Sequence, residues 1–554
     1  MRTRRLAYYV ALAVPLTLLV SCGAPGSGCS GDYCGTLVFA ATGTPATLLP
    51  PVTDQAIDRD IFDQIFLKLA DIGPAGNTVG DEGFEHLLAD RWSWPDSLTL
   101  AVHVDPRARW QDGFPVTARD VAFTFRAFTD SATDSPYRES LAKIDSVTVR
   151  DSSTALFHFH SRYPEMFYDA VYYLRILPEH LLGSVPFVQW RSAAFGRDPI
   201  GDGPYRFVSW TPGQSVQLEA DSTFFLGRPH IRRLIWRLTS DLSVAVTQVV
   251  ADEADAIEVL VTPANIARAT AAPQLKLYPY AGSVYTIARF NLLAPGDRRR
   301  PHPILSDPDV RRALILATDR IRMAQNVFGD AAKVPPAPIP EEWTALWFPD
   351  LPVPPYDTAQ ANRLLTRRGW RAATPGGIRV RNGRRLALTV LLPSSSEVRR
   401  QYARLIQEEL RQVGVDVAIE EVDLPTLQDR LARGTFDIAI ESWANDPTPV
   451  SGIPEMWDKG GGSNFGGYSD PAFEAQVAQA AAARTPADAN RAWKAAFTIL
   501  AQDAPAMVLN APDNIAAIHR RVADVRIRPD EYWAYVRTWR IPADQLIARD
   551  RVRP

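Results

Sequence analysis

The chain has 554 residues, of which 46% are hydrophobic and 22% charged. That is ample apolar material for two to four compact units, and it excludes a disordered chain and a multi-span membrane protein. With 60 Lys and Arg against 63 Asp and Glu the net charge is -3, so no basic excess points to nucleic acid as a partner.

Arg2, Arg4 and Arg5 precede an apolar run from Leu6 to Val20, followed by Ser21-Cys22-Gly23. This is the layout of a secretory signal peptide over residues 1–21, with an apolar run too short to span a bilayer comfortably. Leu19-Val20-Ser21-Cys22 also resembles the bacterial lipobox, in which the cysteine is acylated and begins the mature protein. The reading places the protein outside the cytoplasmic membrane, held to the cell envelope through Cys22. Residues 22–35 form a Gly/Ser-rich tether. Its Cys29 and Cys34 are an even pair in an exported chain, which predicts a disulfide closing a small loop; no histidine lies close enough to complete a metal site.

Folded structure begins with an apolar strand at Leu37-Val38-Phe39-Ala40. Leu98 to Val104 alternates as a second strand, and Thr117-Ala118-Arg119-Asp120 opens a helix whose Val121, Phe125 and Phe128 recur at core-facing spacing. Asp307-Pro308 starts another helix, expected to bury Val310, Ala313, Leu314, Ala317 and Ile321. A third follows Asp357, carries Ala361, Leu364 and Leu365, and stops at Gly369. Between Leu386 and Ile440 the pattern reads strand, helix, strand, helix, strand, which predicts a parallel sheet with crossover helices. Trp443-Ala444-Asn445-Asp446-Pro447 follows the last strand, where open α/β sheets bind ligands.

A search for catalysis finds no phosphate-binding G-x-x-x-x-G-K-[ST], no H-E-x-x-H and no G-x-S-x-G. His158 and His160 share a strand face without a neighbouring carboxylate or cysteine, and read as surface residues. Gly460-Gly461-Gly462 follows no strand and reads as a loop, and Glu420 and Glu421, adjacent on a strand, point to opposite faces. The expectation is a non-enzyme with no catalytic residues, no cofactor and no metal.

Leu88-Ala89-Asp90-Arg91-Trp92 and the run Trp110-Gln111-Asp112-Gly113-Phe114-Pro115-Val116-Thr117-Ala118-Arg119-Asp120-Val121 resemble the family 5 extracellular solute-binding proteins of bacterial ABC transporters. Further matches follow in order: Ile200-Gly201-Asp202-Gly203-Pro204-Tyr205, Phe290-Asn291, Asp309 to Arg320, and Tyr356-Asp357 to Gly369-Trp370. The resemblance extends from residue 36 to about 540. It implies an α/β, two-lobed periplasmic-binding-protein fold (Venus-flytrap, type II, cluster C) with an inserted accessory α+β domain. The boundaries it suggests are 36–72, 195–290 and 508–554 for the first lobe, 73–194 for the accessory domain and 291–507 for the second lobe. It further implies a monomer that captures a solute, an oligopeptide first of all, and presents it to a permease and ATPase complex. A receptor for a metal chelate, sugar, opine or haem stays open, as does a secreted hydrolase.

Peptide-binding members pair the ligand's α-ammonium with an Asp that follows a Trp in the second lobe. Trp443 and Asp446 keep that spacing, while the residues between them depart from the family pattern, so Asp446 is either the ammonium partner or the turn residue before Pro447. Trp443, Asn445 and Asp446 are therefore candidate ligand contacts, with Asn464 and Tyr285 as further candidates. Asp202 stands where the family often has Thr.

Overall fold

The computed structural model describes residues 29, 33–74, 76–339, 351–444 and 448–550. Residues 1–21, read above as a signal peptide, and Cys22 lie outside the described residues, and none of the described helices is long and apolar enough to cross a membrane. Cys29 and Cys34 are joined by a disulfide.

The first of two large sheets has seven strands in the spatial order Leu275–Tyr280, Asn514–His519, Ala256–Ile257, Cys34–Thr42, Ile231–Thr239, Ser215–Ala220, Tyr205–Thr211. Cys34–Thr42 is buried on both faces over almost its whole length, as its unbroken apolar sequence requires of a central strand. It runs parallel to Ile231–Thr239, with Phe39 opposite Trp236 and their rings stacked at 4.7 Å. Its other face, Val38 and Ala40, packs on Ala245, Val246 and Val249 of the helix Leu242–Val250. Arg521 locks this sheet together, donating to Asp255 at 2.7 and 3.0 Å, to Asp550 at 2.7 Å and to the Thr36 carbonyl at 2.7 Å.

The second sheet has five strands in the order Asp416–Val422, Ala387–Pro393, Ile438–Ala444, Val284–Phe290, Ala506–Asn510. Its parallel half is the expected strand–helix–strand–helix–strand unit. The helix Glu397–Gln412 crosses between Ala387–Pro393 and Asp416–Val422, capped by the Ser396 hydroxyl and ended at Gly414, whose φ of +80° suits glycine. The helix Leu424–Arg433 makes the second crossing, capped by Asp423. Val284–Phe290 falls inside the segment expected for the first lobe but pairs here instead, antiparallel to Ile438–Ala444 and to Ala506–Asn510.

Residues between the first two strands of the chain's seven-stranded sheet carry a separate antiparallel sheet, Ala89–Asp96, Thr99–Val104, Thr154–Phe159 and Ile144–Val149, packed on the helix Ala118–Thr129. Asp120 accepts from the Thr117 backbone N–H at 2.8 Å, and Val121, Phe125 and Phe128 are all buried, as the sequence predicts. Ile321 departs from expectation. The helix begun at Pro308 ends at Leu316, a new one starts at Arg320 with Asp319 as its cap, and Ile321 is turned outward, 53% exposed.

The chain passes between the two large sheets at 281–283 and again at 511–513. The two passages lie against each other so closely that a Cβ on Gly282 would stand 2.4 Å from the Pro512 carbonyl oxygen. Gly282→Ala therefore forces the paired crossings apart, and is expected to cost about 2 kcal/mol in denaturant unfolding. An unchanged midpoint would show that the crossings move freely.

Candidate ligand-binding site

A cavity of about 420 Å³, within the range of small-ligand pockets, opens where the first crossing faces the helices and loops of the accessory region and the C-terminal segment. Ser283 and Ala444, at the ends of paired strands of the five-stranded sheet, form one side. Opposite stand Arg59, Asp60 and Asp63 on or just beyond the helix Ala56–Phe62, then Tyr137, Tyr168, Tyr172, Tyr173 and Arg175 from the accessory region, and Asp530, Glu531, Tyr532 and Trp533 from the C-terminal segment. Ala444 closes a parallel strand, so the cavity lies beyond the carboxyl end of that strand, the position such sheets offer to ligands.

The cavity floor is a network of charges drawn from three distant parts of the chain. Arg175 grips Asp63 with two hydrogen bonds of 2.7 and 2.9 Å and donates to Glu531 at 2.9 Å. Arg528 donates to Asp71 at 2.8 Å, Asp530 at 2.8 Å and Glu531 at 2.7 Å, while Lys68 contacts both Asp71 and Glu531. The Tyr172 hydroxyl donates to Asp530 at 2.8 Å, and its ring lies 3.9 Å below the Lys68 ammonium. Burial alone would raise the Glu531 carboxyl, but Lys68, Arg528 and Arg175 together hold it well below the usual carboxylate range. Asp60 moves the other way: burial, with the Glu258 carboxyl hydrogen-bonded to it, pushes it well above that range.

Trp443 is half-buried, donates from Nε1 to Glu441 at 3.1 Å, and sits 5.8 Å from the guanidinium of Arg289, which is itself bonded to Glu441. Asn445 and Asp446 lie outside the described residues. Tyr285 belongs to the apolar core, fully buried, with its hydroxyl 3.0 Å from the Met456 sulfur. Asn464 is occupied by its own loop: its amide donates to the Asp458 and Tyr468 carbonyls at 2.8 and 2.7 Å and accepts from the Tyr468 N–H at 3.0 Å. None of Trp443, Tyr285 and Asn464 lines the cavity. Asn464→Ala orphans two buried backbone groups of Tyr468 and the partly buried Asp458 carbonyl, and is expected to cost about 2 kcal/mol while leaving ligand affinity unchanged. Paired unfolding and binding titrations check both halves of that expectation.

Asp202 is also structural. It is buried, accepts from the Leu67 N–H at 2.8 Å, and burial pushes its carboxyl well above the ordinary range. The flanking glycines are required by contact: a Cβ on Gly201 would stand 1.9 Å from the Ile65 carbonyl oxygen. The aromatic and charged cavity residues escaped the sequence reading. The one local signal for them is the dense run Arg528-Pro529-Asp530-Glu531-Tyr532-Trp533.

Residues 83–465 match the family described as bacterial extracellular solute-binding proteins, family 5 Middle. The oligopeptide-binding protein AppA of Bacillus subtilis is 24% identical over 454 residues, covering 80% of each chain. Its structure in complex with a nonapeptide matches with a TM-score of 0.66 at 21% identity, covering 92% of this chain and 99% of that one. The ABC transporter substrate-binding protein CtaP of Listeria monocytogenes gives a TM-score of 0.76 at 20% identity, with coverage of 92% and 99%. The two large sheets joined by paired crossings are thus the two lobes of the Venus-flytrap, type II, cluster C architecture, with the antiparallel sheet as its accessory α+β insertion. With most of its length matched by that family's model, the chain belongs to the family 5 bacterial extracellular solute-binding proteins.

Proposed function

We propose that this protein is the substrate-binding lipoprotein of an ABC importer, which takes an oligopeptide into the cavity between its lobes and hands it to a membrane permease. The observation that carries the reading is the cavity itself, walled by tyrosines and by charges of both signs, in a chain whose relative in Bacillus subtilis is named for oligopeptide binding. Aromatic faces accept varied side chains, and fixed charges accept a zwitterionic main chain. The first lobe in this reading comprises residues 36–72, 195 to about 280 and about 512–550, the accessory domain 73–194, and the second lobe the residues between the crossings. Closure is a hinge motion at those crossings, and the permease selects the closed, loaded form.

Cys22 carries the lipid anchor and keeps an exported monomer at the cell envelope, with binding and no turnover as its task. Asp446, two residues beyond the cavity-lining Ala444, pairs with the peptide's α-ammonium. Native mass spectrometry of the chain without its anchor, before and after exposure to a di- to hexapeptide library, tests the reading. Retained peptides, lost in Asp446→Ala, are the expected result. Retention of a non-peptide mass in place of any peptide would overturn it, and cleavage of the peptides would turn the assignment to a hydrolase.

A further inference from the structure

We propose that Arg59 and Tyr137 form the subsite for a carboxylate of the bound ligand; this deepens the peptide reading and rests on it. The cavity's cations divide into two kinds. Arg175 is saturated by Asp63 and Glu531, and Lys68 and Arg528 behind it are saturated by Asp71, Asp530 and Glu531. Arg59 also lines the cavity and is half-buried, yet its guanidinium makes no hydrogen bond or close ion pair with any described residue.

Tyr137 supplies the independent observation. The residue is 8% exposed and lines the same cavity, and its hydroxyl oxygen has no hydrogen-bond partner among the described residues. A buried hydroxyl without a partner costs about 1–3 kcal/mol, a penalty removed if a ligand atom completes it. Burial raises the Tyr137 phenol above its ordinary range, so it remains a protonated donor at neutral pH. Arg59 offers only N–H donors and a permanent charge. Two donors with no acceptor of their own suit an acceptor-only anion, and a planar carboxylate matches the guanidinium fork. A peptide carries that group at its C-terminus or on an acidic side chain.

The test uses two matched peptide pairs in isothermal titration against the full mature chain. One pair differs only in a free or amidated C-terminus, the other only in Glu or Gln at an internal position. The wild type is expected to prefer the carboxylate member of one pair by about tenfold to a hundredfold, and the pair that shows the preference identifies the source of the carboxylate. In Arg59→Gln the preference collapses, because affinity for the carboxylate member falls far more than affinity for the uncharged one; in Tyr137→Phe, which keeps the ring and the wall, it shrinks severalfold. Arg59→Lys restores part of it. Equal loss for both members of each pair, or a preference untouched by either substitution, overturns the subsite and leaves peptide binding standing. A wild type that binds none of the peptides overturns the peptide reading, and the subsite with it.

Discussion

Replacing Arg521 by methionine is expected to destabilise the first lobe by about 3–5 kcal/mol, among the largest effects of any single substitution in this chain. Its side chain is about 1% exposed, and the Asp255 and Asp550 side chains it neutralises are wholly buried. Those carboxylates do more than pair with it. Asp255 also accepts from the Val38 N–H at 2.9 Å, and Asp550 from the Thr36 N–H at 2.7 Å, so both hold the central strand Cys34–Thr42. Removing the cation leaves Asp550 without a cation among the described residues and Asp255 with Arg549 alone, both beside the strand on which the sheet is built. The combined Asp255→Asn, Asp550→Asn, Arg521→Met variant should recover part of the loss, because the amides still accept from the strand, no desolvated carboxylate remains, and Arg549, the cation left without Asp255, reaches solvent. Urea unfolding followed by the fluorescence of Trp236 and its neighbours measures both variants. A single variant within 1 kcal/mol of the wild type would contradict the account.

Glu531→Gln is the second large effect, about 3 kcal/mol at neutral pH, with a pH dependence whose sign is fixed. The carboxylate is held below its ordinary range in the folded chain by Lys68, Arg528 and Arg175, although burial opposes them. The unfolded chain therefore binds the proton more readily. Glu531 contributes stability fully above the ordinary glutamate range, and that contribution is lost as pH falls through the range and below it. The wild type and Glu531→Gln should thus differ most at neutral pH and converge on acidification. Because Glu531 also forms the cavity floor, the variant should bind ligand more weakly at neutral pH as its cations turn to other partners. A constant difference from neutral pH to about pH 3 would remove Glu531 from the network.

The parts of this fold legible in the sequence are those whose physics is local. Asp307, Asp357 and Asp423 each cap the helix they precede, and Gly414 ends the helix it follows. The apolar run at Leu37 to Ala40 lies in a strand buried on both faces, and the parallel unit from Ala387 to Ala444 has the element order its periodicities dictate. Ile321 shows where periodicity misleads: its spacing continues the helical stripe, but Asp319 caps a second helix and turns the register. Asn464 shows where a residue type misleads, since a buried amide is as well suited to closing a loop as to meeting a ligand.

The cavity was not legible, for a reason of chain distance. Asp63, Arg175 and Glu531 meet in one network although 112 residues separate the first two and 356 the last two. No pattern within a window of sequence pairs them; only the sheet topology does. The C-terminal strand Asn514–His519 pairs between Leu275–Tyr280 and Ala256–Ile257, and the chain that follows it delivers Pro529 to Ala534 to the cavity. The tyrosines at 137, 168, 172 and 173, the middle two on the helix Met166–Tyr172, are likewise indistinguishable from core aromatics until the fold of the accessory region brings them to the cavity wall.

The most direct test of the central claim is a crystal structure of the mature chain grown with a peptide that native mass spectrometry shows to be retained. The account predicts the peptide between Ala444 and Ser283 on one side and Tyr172, Glu531 and Trp533 on the other, excluded from solvent by both lobes. A peptide seated elsewhere on the molecule, with this cavity unchanged, would contradict it.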